Sequence, residues 1–226
     1  MKTLTGFIRA HRSKLLLLVF LALTIASPLA DAHPHAGGVI AILFLLALLA
    51  GVSYMAEKAF VYILVLPLAA LWIVARLVEA FAPGHSYSHI APVTGFLLSC
   101  AVLWAILDRF NSIPAVTGNV VSEAFISYLI IAIAFSQLYW ILNRTLDNAF
   151  TQSISVTDTS QLLYFSMVTL STVGYGRIAP VNPYVRIVAG LEAMFGIFFV
   201  AVVVARLVSS YGPRRNSRGN QRDDQK

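Results

Sequence analysis

The chain of 226 residues is 58% hydrophobic and only 12% charged, and its mean hydropathy is +0.79. About a quarter of the residues of a soluble domain are charged, so this composition excludes an ordinary soluble fold and indicates a membrane protein in contact with lipid. The formal net charge of +6 lies largely at the two ends of the chain, where basic residues beside apolar helices follow the positive-inside rule, so we expect no nucleic-acid partner. The single cysteine, Cys100, excludes an intrachain disulfide and is expected to be a packing residue.

Residues 1–14 form a basic stretch that we predict to lie in the cytoplasm, and an apolar segment follows at 15–30. Two interpretations of this segment stay open. It is slightly shorter than the about 20 residues of a spanning helix, and Ala30-Asp31-Ala32 has the small-x-small form of a signal-peptidase site. A second apolar segment follows at once, which favours a retained first helix over a cleaved signal peptide.

Three further apolar segments precede residue 110, at 38–54, 60–81 and 90–107. With the first, they predict a four-helix membrane region at 15–110. Moving one charge through about 100 mV is worth only about 2.3 kcal/mol, so a voltage-sensing helix needs several positive residues. The segment at 90–107 contains no Lys or Arg, and we therefore predict a region without sensor charges.

A Pro-, Gly- and Ser-containing stretch at 111–119 predicts a cytoplasmic linker to a second module at 120–211, which a basic cytoplasmic tail follows at 212–226. The module is predicted to contain an outer span, a polar outer turret, a short apolar helix and a last span, at residues 120–142, 144–157, 160–171 and 185–208. The sequence thus predicts an all-α membrane protein of about six transmembrane helices. If the first helix is retained, both termini lie in the cytoplasm.

Between the short helix and the last span lies a run of five residues, Thr172, Val173, Gly174, Tyr175 and Gly176. Glycine adopts left-handed backbone conformations that other residues avoid, which allows consecutive carbonyl groups to point in one direction. Carbonyl oxygens arranged in this way can replace the water shell of a potassium ion.

The stretch from Leu163 to Pro180 resembles the pore loop of the potassium channel superfamily, and the resemblance extends over about residues 120–210. It implies that the carbonyls of Thr172, Val173, Gly174 and Tyr175 and the Thr172 hydroxyl bind potassium ions, the only cofactor expected. Since four such loops surround one axis and the chain has one, it also implies a homotetramer. A multi-pass protein of the plasma or prokaryotic inner membrane, and not an enzyme, is expected.

The resemblance also implies how the loop is supported. The Tyr175 ring is expected to pack outward against the short helix, around Tyr164 and Phe165, and Asp158 or Ser160 can cap the first turn of that helix.

The chain departs from the family pattern on either side of the loop. Arg177 stands where the family commonly has an acid, and it either forms a ring of four positive charges at the outer mouth or folds back onto Asp147 or Asp158. Val168 stands where some bacterial members have a glutamate, so the carboxyl pair that those members form behind the filter cannot form here.

The last span contains a buried-acid candidate and a glycine one turn later. Glu192 is expected to hydrogen-bond Ser166 or Ser171 of the pore region, or else to face the central cavity and attract cations. Gly196 stands where the family has its gating-hinge glycine, and a glycine there either allows bending or permits close helix packing.

Four histidines, His33, His35, His85 and His89, fall on the two predicted outer loops, where they could form a zinc or proton sensor. The alternatives to a potassium channel that is not strongly voltage-gated are therefore a metal- or pH-sensing membrane protein and a channel-like regulatory subunit that does not conduct or is weakly selective. An intramembrane hydrolase is not supported, because the sequence offers no nucleophile with its base and no HExxH motif.

Overall fold

The structure is a computed structural model that describes residues 2–32, 59–81, 90–112, 118–154 and 159–210, together with Leu43, Leu46 and Ala47. Within these residues, six α-helices follow one another: α1 (Lys2–Ala32), α2 (Ala59–Phe81), α3 (Ile90–Ser112), α4 (Gly118–Thr145), α5 (Thr159–Leu170) and α6 (Pro183–Ser210). The protein is therefore helical throughout its described elements, as the sequence predicts.

Several predictions lie wholly or mostly outside the described residues: the span at 38–54, the centre of the linker at 111–119, the four outer-loop histidines and the tail at 212–226. The ends of the linker are described, and they are helical, since α3 continues to Ser112 and α4 begins at Gly118. Helix α1 is longer than the predicted segment, because it also includes the basic residues from Lys2 onward.

Two of the described helices are long and apolar enough to cross a membrane, over Val121–Thr145 and Pro183–Arg206. Shorter apolar stretches lie at Lys14–Leu29, Ile63–Arg76, Ile90–Ala105 and Ser160–Leu170. By length and composition, these two helices could each span a membrane, and the count of six spans stays a prediction.

The first four helices share one apolar core. Helix α4 packs against α1 and α3, and α2 packs against α3. Phe20 of α1, Val65 of α2, Val102 of α3 and Ile126 of α4 are all buried in this core. Because lipid tails are as apolar as these side chains, close packing rather than escape from water holds such helices together in a membrane.

A glycine on α3 shows how closely these helices approach. A Cβ added to Gly95 would lie 3.0 Å from Nε1 of Trp72 on α2 and 3.4 Å from Cδ of Gln137 on α4. The absence of a side chain at Gly95 therefore lets three helices meet at one level.

A second core joins α4, α5 and the connection between them. The rings of Tyr139 and Phe165 meet edge to face at 4.9 Å between centroids, and Phe150 meets Phe165 in the same way at 5.2 Å. Ala149 and Ile154 of the connection are buried beside them. The predicted polar turret is thus partly wrong, because its middle contributes apolar side chains to this core.

Local sequence signals explain where α6 begins. The Oδ1 atom of Asn182 accepts a hydrogen bond from the backbone N–H of Tyr184 at 3.0 Å, and Pro183 occupies the first helical position, where a missing N–H costs nothing. The start of α6 is therefore fixed seven residues after Gly176, the last residue of the five-residue loop, which limits where the loop can lie.

Candidate functional site

The backbone of the predicted filter is hydrogen-bonded to the last turn of α5. The N–H of Thr172 donates to the Thr169 carbonyl at 2.9 Å, and the N–H of Gly174 donates to the Val168 carbonyl at 3.1 Å. These bonds satisfy carbonyls that the end of a helix leaves without partners. Among the described residues, no backbone hydrogen bond ends on the carbonyls of residues 172–175, so these oxygens are available to a cation.

The backbone alternates in handedness along this loop. Thr172, Gly174 and Gly176 have φ of +59°, +53° and +79°, whereas the residues between them do not adopt positive φ. Such alternation turns successive peptide planes so that neighbouring carbonyls can face one side. The sequence predicted left-handed backbone only at the glycines, and Thr172 adds a position that costs an L-residue about 1–2 kcal/mol.

The side chains of the loop are only partly placed as predicted. The rings of Tyr164 and Tyr175 lie parallel, with centroids 6.4 Å apart, which confirms the predicted contact between them. The expectation for Phe165 is wrong, because its ring contacts are with Tyr139 and Phe150 in the second core. Tyr175 remains 72% exposed on the single chain.

The segment after the loop is fastened to the turret. Thr151 N–H donates to the Ala179 carbonyl at 2.9 Å, and the Gln152 side-chain amide donates to the Arg177 carbonyl at 3.2 Å. Arg186 Nε donates to the Pro180 carbonyl at 3.1 Å from the first turn of α6. The outer end of the filter is thus held by hydrogen bonds from the turret and α6 rather than by the carboxyl pair that Val168 excludes.

The Arg177 side chain is exposed. No ion pair joins it to Asp147 in the part of the chain that the structure describes, whereas Asp158, the other predicted partner and a predicted cap of α5, lies outside that part. The contact with Asp147 is therefore absent on the single chain, whereas the choice between a ring of charges and a contact with Asp158 stays open.

Glu192 is completely buried between three helices. Its Oε2 accepts a hydrogen bond from the Tyr139 hydroxyl of α4 at 2.6 Å, and its Oε1 is hydrogen-bonded to the Ser166 hydroxyl of α5. The predicted partner Ser166 is confirmed. The alternative partner Ser171 is not, because its hydroxyl donates to the Met167 carbonyl at 2.7 Å. The other alternative, a Glu192 side chain that faces the central cavity, does not fit its complete burial within the single chain.

Gly196 lies one helical turn after Glu192 and touches the end of α5. A Cβ added to Gly196 would overlap the carbonyl oxygen of Leu170, so the close approach of the two helices depends on the missing side chain. Helix α6 runs unbroken through this position. Of the two roles that the sequence left open, the structure supports close packing.

Two further residues were missed or misplaced by the sequence analysis. Glu123, only 1% exposed on α4, is a second buried acid, and its presence inside a predicted span was the available signal. Cys100 is exposed on α3 rather than packed inside the bundle. Among the described residues, no group of three His, Cys, Asp or Glu side chains could hold a metal, and the predicted histidine site lies outside those residues.

Residues 123–211 match a protein family described as "Ion channel". The chain is 38% identical over 48 residues to the potassium voltage-gated channel protein shk-1 of Caenorhabditis elegans, a match that covers 21% of this chain and 9% of that protein. It is 40% identical over 47 residues to two-pore potassium channel 5 of Arabidopsis thaliana, covering 21% of this chain and 12% of that protein. The chain thus spans only about a tenth of the length of these curated relatives. No solved structure matches. These matches support an ion-channel domain, related to potassium channels, at residues 123–211.

Proposed function

We propose that this chain is one subunit of a potassium-selective ion channel, in which residues 172–176 form the selectivity filter and residues 120–211 the pore domain. The observation that carries the proposal is the backbone of residues 172–176, where positive φ alternates along the chain and the amides of Thr172 and Gly174 donate back to α5. Because the Thr172 and Gly174 amides are engaged by α5 and the carbonyls of residues 172–175 are available, the loop offers acceptor oxygens to a cation.

The chemistry that follows is the exchange of water for carbonyl oxygen. Four loops around one axis supply rings of carbonyl oxygens that replace the hydration shell of potassium, and the Thr172 hydroxyl adds a ligand at the inner end. The carboxyl end of α5 carries partial negative charge, which favours a cation below the filter. Potassium is here the transported ion, moving passively down its gradient.

A homotetramer is supported by what the single chain leaves uncovered. Residues 171–177 are all exposed, and only 11% of the spanning part of α6 is buried. Non-helical backbone at membrane depth is tolerated only where protein packs against it or where it lines a water-filled cavity. Four copies around a pore satisfy both conditions, with the remaining surface in contact with membrane lipid.

Ion flux from liposomes that contain the purified protein tests the proposal. We expect flux of potassium in large excess over sodium, blocked by barium. Gly174→Ser should abolish it, because serine at a φ of +53° is strained and disturbs the carbonyl ring.

Ile25→Ala is the control, since Ile25 is 70% exposed on α1, outside the proposed pore domain. Tetramer formation is checked by native mass spectrometry for each variant. Wild-type protein that is tetrameric but passes no potassium would overturn the channel proposal and favour a non-conducting subunit.

A further inference from the structure

The hydrogen bonds around Glu192 close a ring across three helices. Tyr139 of α4 donates to Glu192 of α6, Glu192 is bonded to Ser166 of α5, and the Ser166 hydroxyl also lies 2.7 Å from the Ala132 carbonyl of α4. Tyr139 and Ala132 are seven residues apart, two turns along one face of α4. The ring therefore begins and ends on the same helix.

The ring contains one proton too few if Glu192 is ionised. The Ser166 hydroxyl has a single proton but two oxygen neighbours, the Ala132 carbonyl and Glu192 Oε1. A carbonyl cannot donate, so the Ser166 proton serves Ala132 only if the proton between Ser166 and Glu192 belongs to the carboxyl group. With that proton in place, every close oxygen pair in the ring has one hydrogen between its members.

The surroundings of Glu192 also favour a neutral group. The titratable side chains that face it are the phenols of Tyr139 and Tyr128, both on α4. No cation contacts it among the residues that the structure describes. Burying an unpaired carboxylate costs several kcal/mol, as an order of magnitude, whereas a neutral carboxyl group needs only its hydrogen bonds.

The ring is linked to the filter through α5. Ser166 lies one turn before Leu170 on α5, and Glu192 lies one turn before Gly196 on α6. Ser166 contacts Glu192, and Leu170 contacts Gly196. Helix α6 therefore contacts α5 at two points, which are four residues apart on each helix. The carbonyls of α5 that bind the filter amides, at 168 and 169, lie between these two points.

We propose that Glu192 is a protonated, neutral carboxylic acid and serves as a positioning residue for the filter, joining α4, α5 and α6 through Tyr139 and Ser166. The positioning role rests on the proposed channel function, whereas the protonation does not. A neutral carboxylic acid both donates and accepts hydrogen bonds, whereas a carboxylate only accepts them. Glu192 can therefore accept from the Tyr139 hydroxyl and donate to the Ser166 hydroxyl.

Infrared difference spectroscopy of the intact protein in liposomes tests the proton directly. The spectrum of the wild type minus that of Glu192→Gln should contain, near neutral pH, the C=O stretching band of an un-ionised carboxyl group. A carboxylate band in its place would overturn the protonation. This readout needs no ion flux, so its result stands whether or not the protein conducts.

The ratio of potassium to sodium permeability tests the positioning role. Glutamine also donates and accepts, so Glu192→Gln should preserve the ratio, whereas Glu192→Ala and Tyr139→Phe should each lower it about tenfold in assembled tetramers, as the loss of a buried hydrogen bond predicts. Tyr184→Phe, on an exposed tyrosine of α6, is the control.

Tyr139→Phe keeps the test decisive if Glu192→Ala fails to assemble. An unchanged ratio in Tyr139→Phe, or a Gln variant as impaired as the Ala variant, would overturn the positioning role. Absence of potassium flux in the wild type would instead overturn the proposed function and leave the spectroscopic result intact.

Discussion

Helices α4 and α6 are both 28 residues long and similarly apolar, yet their surroundings differ greatly. The spanning part of α4 is 56% buried within the single chain, because α1, α3 and α5 cover it, whereas that of α6 is 11% buried. A buried stripe of α6, with Val185, Glu192 and Gly196, meets its own chain, and the other faces are open. The chain itself therefore covers most of α4 and leaves most of α6 uncovered, where the proposed tetramer would place neighbouring copies and lipid.

The largest effect is expected where α6 does meet its own chain. Gly196→Ala should destabilise the protein by up to about 3 kcal/mol, because the added methyl overlaps main-chain rather than side-chain atoms. Gly190→Ala, on an open face of the same helix, should change the stability by less than about 1 kcal/mol. Thermal unfolding in detergent measures both. Equal destabilisation by the two variants would contradict the division of α6 into a closed stripe and open faces.

A smaller loss of stability is expected when a side chain of α1 that packs against α4 is truncated. Phe20 of α1 is 1% exposed and packs in one core with Ile126 of α4, whereas Ile25 of α1 is 70% exposed. Phe20→Ala should cost about 2 kcal/mol, less than in a soluble core because lipid replaces part of the lost contact, and Ile25→Ala should cost almost nothing.

The same burial bears on the open question of the signal peptide. Phe20 and Leu23 belong to the core, so we expect residues 1–32 to be retained, and intact-mass measurement of the membrane-extracted protein checks this. A mass that lacks residues 1–32, with the fold preserved, would show that α1 is not part of the cover of α4.

The smallest effect concerns the exposed mouth of the pore. Arg177→Asp should raise the inward single-channel current a few-fold at low salt and little at about 0.15 M, where screening shortens the range of the charge to about 8 Å. Arg177→Gln should give an intermediate current. If the inward current at low salt does not change, the four arginines do not face the ion path.

The sequence predicted the helical class, a non-helical loop at residues 172–176 and the contact of Glu192 with Ser166, because each depends on local patterns or on a costly residue with few possible partners. That this loop is a selectivity filter stays a prediction. It could not predict that Tyr139 is the second partner of Glu192, since the two residues lie 53 positions apart and a tyrosine in a membrane helix has many acceptable roles. The turret was misjudged for a related reason. In the sequence, Phe150 stands among polar residues. It is buried because it packs between Tyr139 of α4 and Phe165 of α5, which are distant in sequence, so the local pattern does not indicate its burial.

Phe20 packs in one core with Ile126, so this contact can form only after α4 has been synthesised. Ile126 is made 106 residues after Phe20, and at about 5–20 residues per second the first helix waits about 5–20 s in the membrane before its partner appears. During that interval, Thr24 needs no acceptor from another helix, because its hydroxyl donates to the Phe20 carbonyl one turn earlier at 2.8 Å. The order of synthesis therefore does not leave the Thr24 hydroxyl without an acceptor while α4 is still to be made.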